Sequence, residues 1–148
     1  MVLDTAECNA HTTAADILWS GTPLLTFPRY SYKMCSRMAA SILKGSLPKG
    51  DEGARAANEL IALSEEDYEE KAVTLGKSLT YVYGCHGKGV GRLMELRKML
   101  YHARWTSALF DTKRWVRDLE DAYDIAWSRF ARGEGGDIWL SGVDGRSK

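Results

Sequence analysis

The densest run of side chains able to do chemistry is Cys8-Asn9-Ala10-His11-Thr12-Thr13-Ala14-Ala15-Asp16. It lies between a strand-like segment, residues 1–4, and a compact helical pattern running from Thr12 or Thr13 through Trp19. In open α/β sheets, ligands bind beyond the carboxyl ends of the strands, where helix N-termini point. Free N–H groups and the positive end of the helix dipole favour an anion there, such as a pyrophosphate. Thr12 and Thr13 add hydroxyl donors, His11 adds a ring N–H, and small Ala14 and Ala15 leave room for a ligand. Asp16, one turn in, is placed to accept hydrogen bonds from ribose hydroxyls. The spacing Thr13-x-x-Asp16 is also a capping box, which needs no ligand at all. His11 reads equally well as a plain loop histidine.

Other constellations carry less. Gly84-Cys85-His86-Gly87-Lys88-Gly89-Val90-Gly91 has the glycines of a phosphate loop. It follows a helical pattern, however, and lacks the Gly-Lys-Ser/Thr ending, so it reads as a helix–helix connection. Cys8 with His11 and Cys85 with His86 have no second pair at ligand spacing, which argues against zinc. Ser36 and Ser41 fall inside a helical pattern with no histidine nearby, so no hydrolase nucleophile stands out. Lys88, Arg92, Arg97, Lys98 and Arg104 face a single acid, Glu95, and read as a solvated helix face.

The elements that must position the first turn follow a short βαβ grammar. The helix after His11 stops at Gly21, with Thr22-Pro23 beyond it. Leu24-Leu25-Thr26-Phe27, bounded by Pro23 and Pro28, suits a buried strand. A helix is expected over Lys33 to Leu43, a loop or insertion over Lys44 to Asn58, and a last short strand at Leu60-Ile61-Ala62. Ser64-Glu65-Glu66-Asp67 is a capping box opening a helix whose face is Tyr68, Ala72, Leu75, Leu79 and Val82, ended by Gly84. A further helix is expected over Val90 to Trp105, with Leu93, Leu96, Leu100 and Tyr101 inward. The final helix starts at Asp111 or Thr112, buries Trp115, Leu119, Ala122, Tyr123, Ala126 and Phe130, and gives out at Gly133. The rest is a polar tail.

At 148 residues the chain is long enough to bury a real core. Twenty basic residues balance twenty acidic ones, which argues against a nucleic-acid partner. The cysteines Cys8, Cys35 and Cys85 are odd in number and widely spaced, and no Asn-x-Ser/Thr site is present. Both favour a reducing compartment, cytoplasm or nucleus. No apolar run reaches the roughly 18 residues of a membrane helix and no signal peptide leads, so no membrane is expected. Residues 1–4 form a strand with no approach to it, which reads as the tail of something larger.

The string Leu3-Asp4-Thr5-x-x-Cys8-Asn9-Ala10-His11-Thr12-Thr13-Ala14-Ala15-Asp16-Ile17-Leu18-Trp19-Ser20-Gly21-Thr22-Pro23 resembles the protein O-GlcNAc transferases of glycosyltransferase family 41, including SPINDLY-like proteins. The family pattern there runs L-D-T-x-x-C-N-G-H-T-T-x-x-D-x-L-W-x-G-T-P. Ser36-Arg37-Met38-Ala39-Ala40-Ser41 looks like its S-R-V-A-A-S, and Ser107-Ala108-Leu109-Phe110-Asp111-Thr112-Lys113 like its S-P-L-F-N-T-K. The similarity runs from residue 3 to about residue 127. It implies two Rossmann-like domains facing each other across a cleft, the GT-B arrangement, with a UDP-sugar held mostly by the second. His11, Thr12 and Thr13 would then meet the diphosphate and uridine, and Asp16 the ribose. The resemblance implies no metal, and no Asp-x-Asp pair occurs in the chain. The reaction implied is inverting transfer of N-acetylglucosamine from UDP-GlcNAc to Ser or Thr hydroxyls of protein acceptors, some SPINDLY-like members using fucose instead.

The chain departs from that pattern in stated places. Ala10 replaces a glycine, about two extra residues lie between Pro28 and Arg37, Arg29-Tyr30 replaces Gly-Glu, and the Lys44 to Asn58 loop is longer. The family's N-terminal helical repeats, its first catalytic domain, and the lysine and histidine residues of that region are not in these residues. The expectation is therefore an α/β fold: the C-terminal part of a Rossmann-like GT-B nucleotide-binding domain closed by three long C-terminal helices. Residues 1–63 would be the UDP-sugar-binding segment, 64–133 the helical part of the same domain, and 134–148 a flexible tail. Alone, the chain is not expected to turn over. The rival expectation is a non-catalytic helical binding or scaffold module derived from that enzyme.

Overall fold

A computed structural model describes residues 1–82 and 88–139. The chain divides into two compact units, Met1–Phe110 and Asp111–Lys148. In the first, β1 (Val2–Leu3) pairs in parallel with β2 (Leu24–Leu25), Val2 opposite Leu24 and Leu3 opposite Leu25. Helix α1 (Thr12–Trp19) is the crossover between them. It buries Ala14 and Leu18, one turn apart on the same face. Gly21 closes it as expected: Gly21 N–H bonds to Leu18 O at 2.9 Å and Thr22 N–H to Ile17 O at 3.0 Å, the paired bonds of a Schellman end. Beyond β2, Thr26 bridges Ile61 in parallel, so the segment expected as a last strand adds a single rung to this small sheet.

Around it pack α2 (Met38–Ser46), α3 (Asp51–Leu60), α4 (Glu65–Lys77) and α5 (Arg92–Ala103). Leu18, Leu24, Leu43, Leu60, Leu96 and Leu100 are the largest contributors to one continuous core. Each buried leucine contributes about 2 kcal/mol of apolar transfer.

Several expectations give way. The stretch Lys44 to Asn58 is not a loop: α2 runs on to Ser46 and α3 occupies Asp51–Leu60. Asp51 and Glu52 suit the positive end of α3, and Ala54, Ala56 and Ala57 are strong helix formers that outweigh the glycine signal. Gly53 is a packing residue, since a Cβ there would lie 1.8 Å from Pro48 O.

The helix opened by Ser64 ends at Lys77, short of Leu79 and Val82. Thr80–Val82 (β3) instead pairs antiparallel with Lys88–Val90 (β4). Thr80, Tyr81 and Val82 are β-branched or aromatic, and strand pairing takes them where helical periodicity alone does not. Residues 83–87, which include the first four of the glycine-rich run, lie outside the described residues. Helix α5 buries Leu93, Leu96 and Leu100 as expected, whereas Tyr101 is 44% exposed.

In the second unit, α6 (Thr112–Ala131) is capped by Asp111, whose side chain accepts from Arg114 N–H at 3.0 Å. None of its residues is buried, and Trp115, Tyr123 and Phe130, expected in the core, are exposed. Helical spacing reports which face is apolar, not whether a neighbour covers it. Of the expected tail, residues 140–148 lie outside the described residues.

Candidate functional site

The connection from β1 to α1 carries the predicted site, and a hidden scaffold holds it. Asp4 ends β1, and its carboxylate accepts from Ala10 N–H at 2.8 Å through Oδ1 and from the Thr26 hydroxyl at 2.7 Å through Oδ2. The Tyr68 hydroxyl donates to Asp4 O at 2.8 Å. Burial, with the Asp4 charge beside it, pushes the Tyr68 phenol above its ordinary range. Within the loop the Thr5 hydroxyl donates to Cys8 O at 2.6 Å, and Asn9 Nδ2 to Thr5 O at 2.8 Å. A second loop braces the first: the Ser36 hydroxyl donates to Ala6 O at 2.6 Å, and Asn9 N–H to Cys35 O at 2.8 Å.

This scaffold presents the start of α1. His11 is the N-cap residue, and no side chain caps the helix. The first intrahelical bonds are those of Ala14 and Ala15 N–H to His11 O, so the N–H groups of Thr12 and Thr13 precede the ladder. Thr12, Thr13 and Asp16 are exposed, and His11 is half-buried. The capping-box alternative fails on position. Thr13 is the second residue of the helix, and its hydroxyl makes no cap bond.

Two buried polar atoms of this turn have no protein partner, His11 Nε2 and Asn9 Oδ1. Such atoms cost about 1–3 kcal/mol when left unsatisfied, so they mark places where an outside partner is favoured. The structure thus brings His11, Thr12, Thr13 and Asp16 together on the first turn and a half of one helix, with three side chains open to solvent.

Sequence reasoning missed the supporting residues. Asp4 and Ser36 stand inside the quoted motifs without an assigned role, and Thr26 and Tyr68 carry no local signal, because their partner is 22 and 64 residues away. A carboxylate closing a strand just before a polar turn is the one cue that was readable.

Elsewhere, no group of three or more His, Cys, Asp or Glu side chains among the described residues could hold a metal. No helix among them is long and apolar enough to cross a membrane. Arg92 is the best-buttressed charge, with Nε and Nη2 donating to Glu59 at 2.8 and 2.9 Å and Nη1 to Glu95 at 3.0 Å. This fork–fork pair ties α5 to α3 and raises the guanidinium's proton affinity further; it is structural.

Residues 1–119 match the sequence profile of Glycosyl transferase family 41. The chain belongs to that family. It is 38% identical over 135 residues to an Arabidopsis thaliana protein named probable UDP-N-acetylglucosamine–peptide N-acetylglucosaminyltransferase SEC, covering 90% of this chain and 12% of that one. It is 36% identical over 131 residues to the Caenorhabditis elegans UDP-N-acetylglucosamine–peptide N-acetylglucosaminyltransferase, covering 88% of this chain and 10% of the relative. The chain therefore spans about a tenth of the length of these family 41 relatives.

Proposed function

We propose that these residues form one wall of a UDP-sugar site in a protein O-GlcNAc transferase. In this reading the exposed N–H groups and hydroxyls of Thr12 and Thr13 hold the diphosphate, with His11 donating from its ring. Asp16 accepts from the ribose hydroxyls. The observation that carries the reading is the uncapped start of α1 beside an unpartnered His11 Nε2. A helix N-terminus left open by its own sequence, with donors on its first turn, is suited to an anion. The two relatives' names supply the donor, UDP-N-acetylglucosamine, and a peptide acceptor.

Chemically, such a wall would stabilise charge on the departing UDP by fixed dipoles and hydroxyls. No metal is needed for that role, and transfer to a Ser or Thr hydroxyl would proceed with inversion. The opposing wall, with the groups that handle the acceptor, belongs to the larger enzyme. The complete protein would act in the cytoplasm or nucleus, on a GlcNAc or a fucose donor.

Calorimetric titration of UDP into this chain tests the reading, with EDTA present throughout. Weak, saturable binding that is lost in Thr12→Ala/Thr13→Ala supports it. No heat at millimolar UDP from a folded sample rejects it. One observation favours the second reading, a binding module without chemistry: Trp115, Tyr123, Trp127 and Phe130 of α6 are all exposed. Absence of UDP binding would leave that reading in place.

A further inference from the structure

The turn that carries His11 is gripped from outside by a second loop. Residues 29–36 follow β2 and lie along residues 6–9. Two of the bonds between them use backbone partners already described, Ser36 to Ala6 O and Asn9 N–H to Cys35 O. A third runs from the Cys35 thiol to Glu7 O at 3.6 Å, and the side-chain bonds converge on Glu7. Glu7 Oε1 accepts from the Tyr30 hydroxyl at 2.7 Å, and Glu7 Oε2 from Lys33 Nζ at 3.4 Å. The Lys33 ammonium also sits 4.2 Å from the Tyr30 ring centroid, so each member of the trio contacts the other two. Tyr30 N–H bonds to Ser36 Oγ at 3.2 Å, tying the trio to the buried serine. This is where the chain differs from the family pattern, with Arg29-Tyr30 in place of Gly-Glu and about two residues more before Arg37. Glycine and glutamate offer neither the phenol nor the ring.

We infer that Glu7, Tyr30 and Lys33 form a latch that holds the connection to α1 in its nucleotide-binding arrangement, making Tyr30 a positioning residue for the diphosphate turn. The inference rests on the UDP reading given above. None of the three needs to touch the nucleotide. Glu7 is one residue from Cys8 and two from Asn9, whose N–H and side chain fix the approach to Ala10 and His11. A connection free to leave that arrangement would have to be ordered at the moment of binding, at the expense of affinity. The latch orders it beforehand.

The test titrates UDP into the full chain and its Tyr30→Phe, Lys33→Met, Glu7→Ala and Tyr30→Phe/Glu7→Ala variants, with thermal midpoints and amide exchange at Asn9 and Ala10 read in parallel. The expected result is UDP binding weakened roughly two- to tenfold in Tyr30→Phe. Faster exchange at the two amides should accompany it, with a midpoint close to that of the unmodified chain. The double variant should be no weaker than Glu7→Ala alone, because the phenol has by then lost its acceptor. A purely structural tyrosine would shift the midpoint and leave UDP affinity alone; that outcome overturns the latch, as does additive loss in the double variant. Lys33→Met gives an independent reading if Tyr30→Phe is poorly folded. No binding by the unmodified chain overturns the nucleotide reading, and the affinity role of the latch with it. Binding that Tyr30→Phe and Lys33→Met both leave unaltered overturns the latch alone.

Discussion

Asp4→Ala should unfold the scaffold of the candidate site far more than the exposure of the residue suggests. The half-buried carboxylate accepts two bonds, from Ala10 N–H and from the Thr26 hydroxyl. A hydrogen bond to a charged acceptor contributes about 1.5–3 kcal/mol net; partial exposure of Asp4 puts both at the lower end. The Thr26 side is the costlier one. Thr26 is fully buried, so its hydroxyl cannot turn to water once the acceptor is gone. Together the loss should be about 3 kcal/mol, measured as a shift in urea midpoint at unchanged slope. In a chain of this size that corresponds to a fall in melting temperature of about 10 °C. The decisive assay is a cycle with Thr26→Val. In the parent, Thr26→Val removes a satisfied hydroxyl and should destabilise. In the Asp4→Ala background it removes a stranded hydroxyl and should be neutral or stabilising. Equal destabilisation in both backgrounds would show that the two groups do not depend on each other, and the reasoning would fail.

Two further outcomes are expected. The Tyr30 hydroxyl, with Lys33 and Arg29 adding their charges, holds the Glu7 carboxyl below its ordinary value of 4.5 against the opposing effect of desolvation. A depressed carboxylate adds stability that is complete above the unfolded-state value and disappears as pH falls through the folded-state one. Thermal melts should therefore find the parent more stable than Glu7→Gln at neutral pH, with the gap closing only below pH 4.5; a gap that widens in acid would contradict the assignment. Gly91→Ala should destabilise by about 2 kcal/mol or more, because Gly91 has φ of +105° and an added Cβ would lie 1.8 Å from Ser78 O. An unchanged urea midpoint would rule out that close approach.

The start and end of α1, β2 and the cap at Ser64 were legible because each depends on residues within a few positions. Ser64 Oγ accepts from Asp67 N–H at 3.1 Å, as its motif requires. The errors share another cause. Gly50 and Gly53 suggested a loop, yet Gly53 is where α3 passes the Pro48 carbonyl, a contact set by tertiary packing. Leu79 and Val82 continued a helical spacing, but α4 ends at Lys77 and pairing of β3 with β4 decided the state of Val82. The aromatic stripe of α6 was read correctly as a stripe, while its burial depended on a cover that a local pattern does not encode. The site itself was half readable. His11, Thr12, Thr13 and Asp16 are adjacent in sequence, whereas Asp4, Thr26, Ser36 and Tyr68 meet only through the fold.

That division has a physical consequence for the turn. Along residues 4–16 the polar groups fall into two classes by satisfaction. Asp4, Thr5 and the amide nitrogens of Asn9 spend their hydrogen bonds inside the protein, at 3.0 Å or less. Thr12, Thr13, Asp16 and His11 Nε2 spend none there. An N-cap side chain is worth about 1 kcal/mol, and Ser64 and Asp111 supply one to α4 and α6. The α1 start, like those of α2, α3 and α5, has no side-chain cap, but its approach is braced by the bonds of Asp4, Thr5, Asn9 and Ser36. Rigidity behind and unspent donors in front is the arrangement that lowers the ordering cost of a bound anion. It also predicts how variants should sort: changes at Asp4 or Ser36 move stability first, and changes at Thr12 or Thr13 leave stability in place and move UDP affinity.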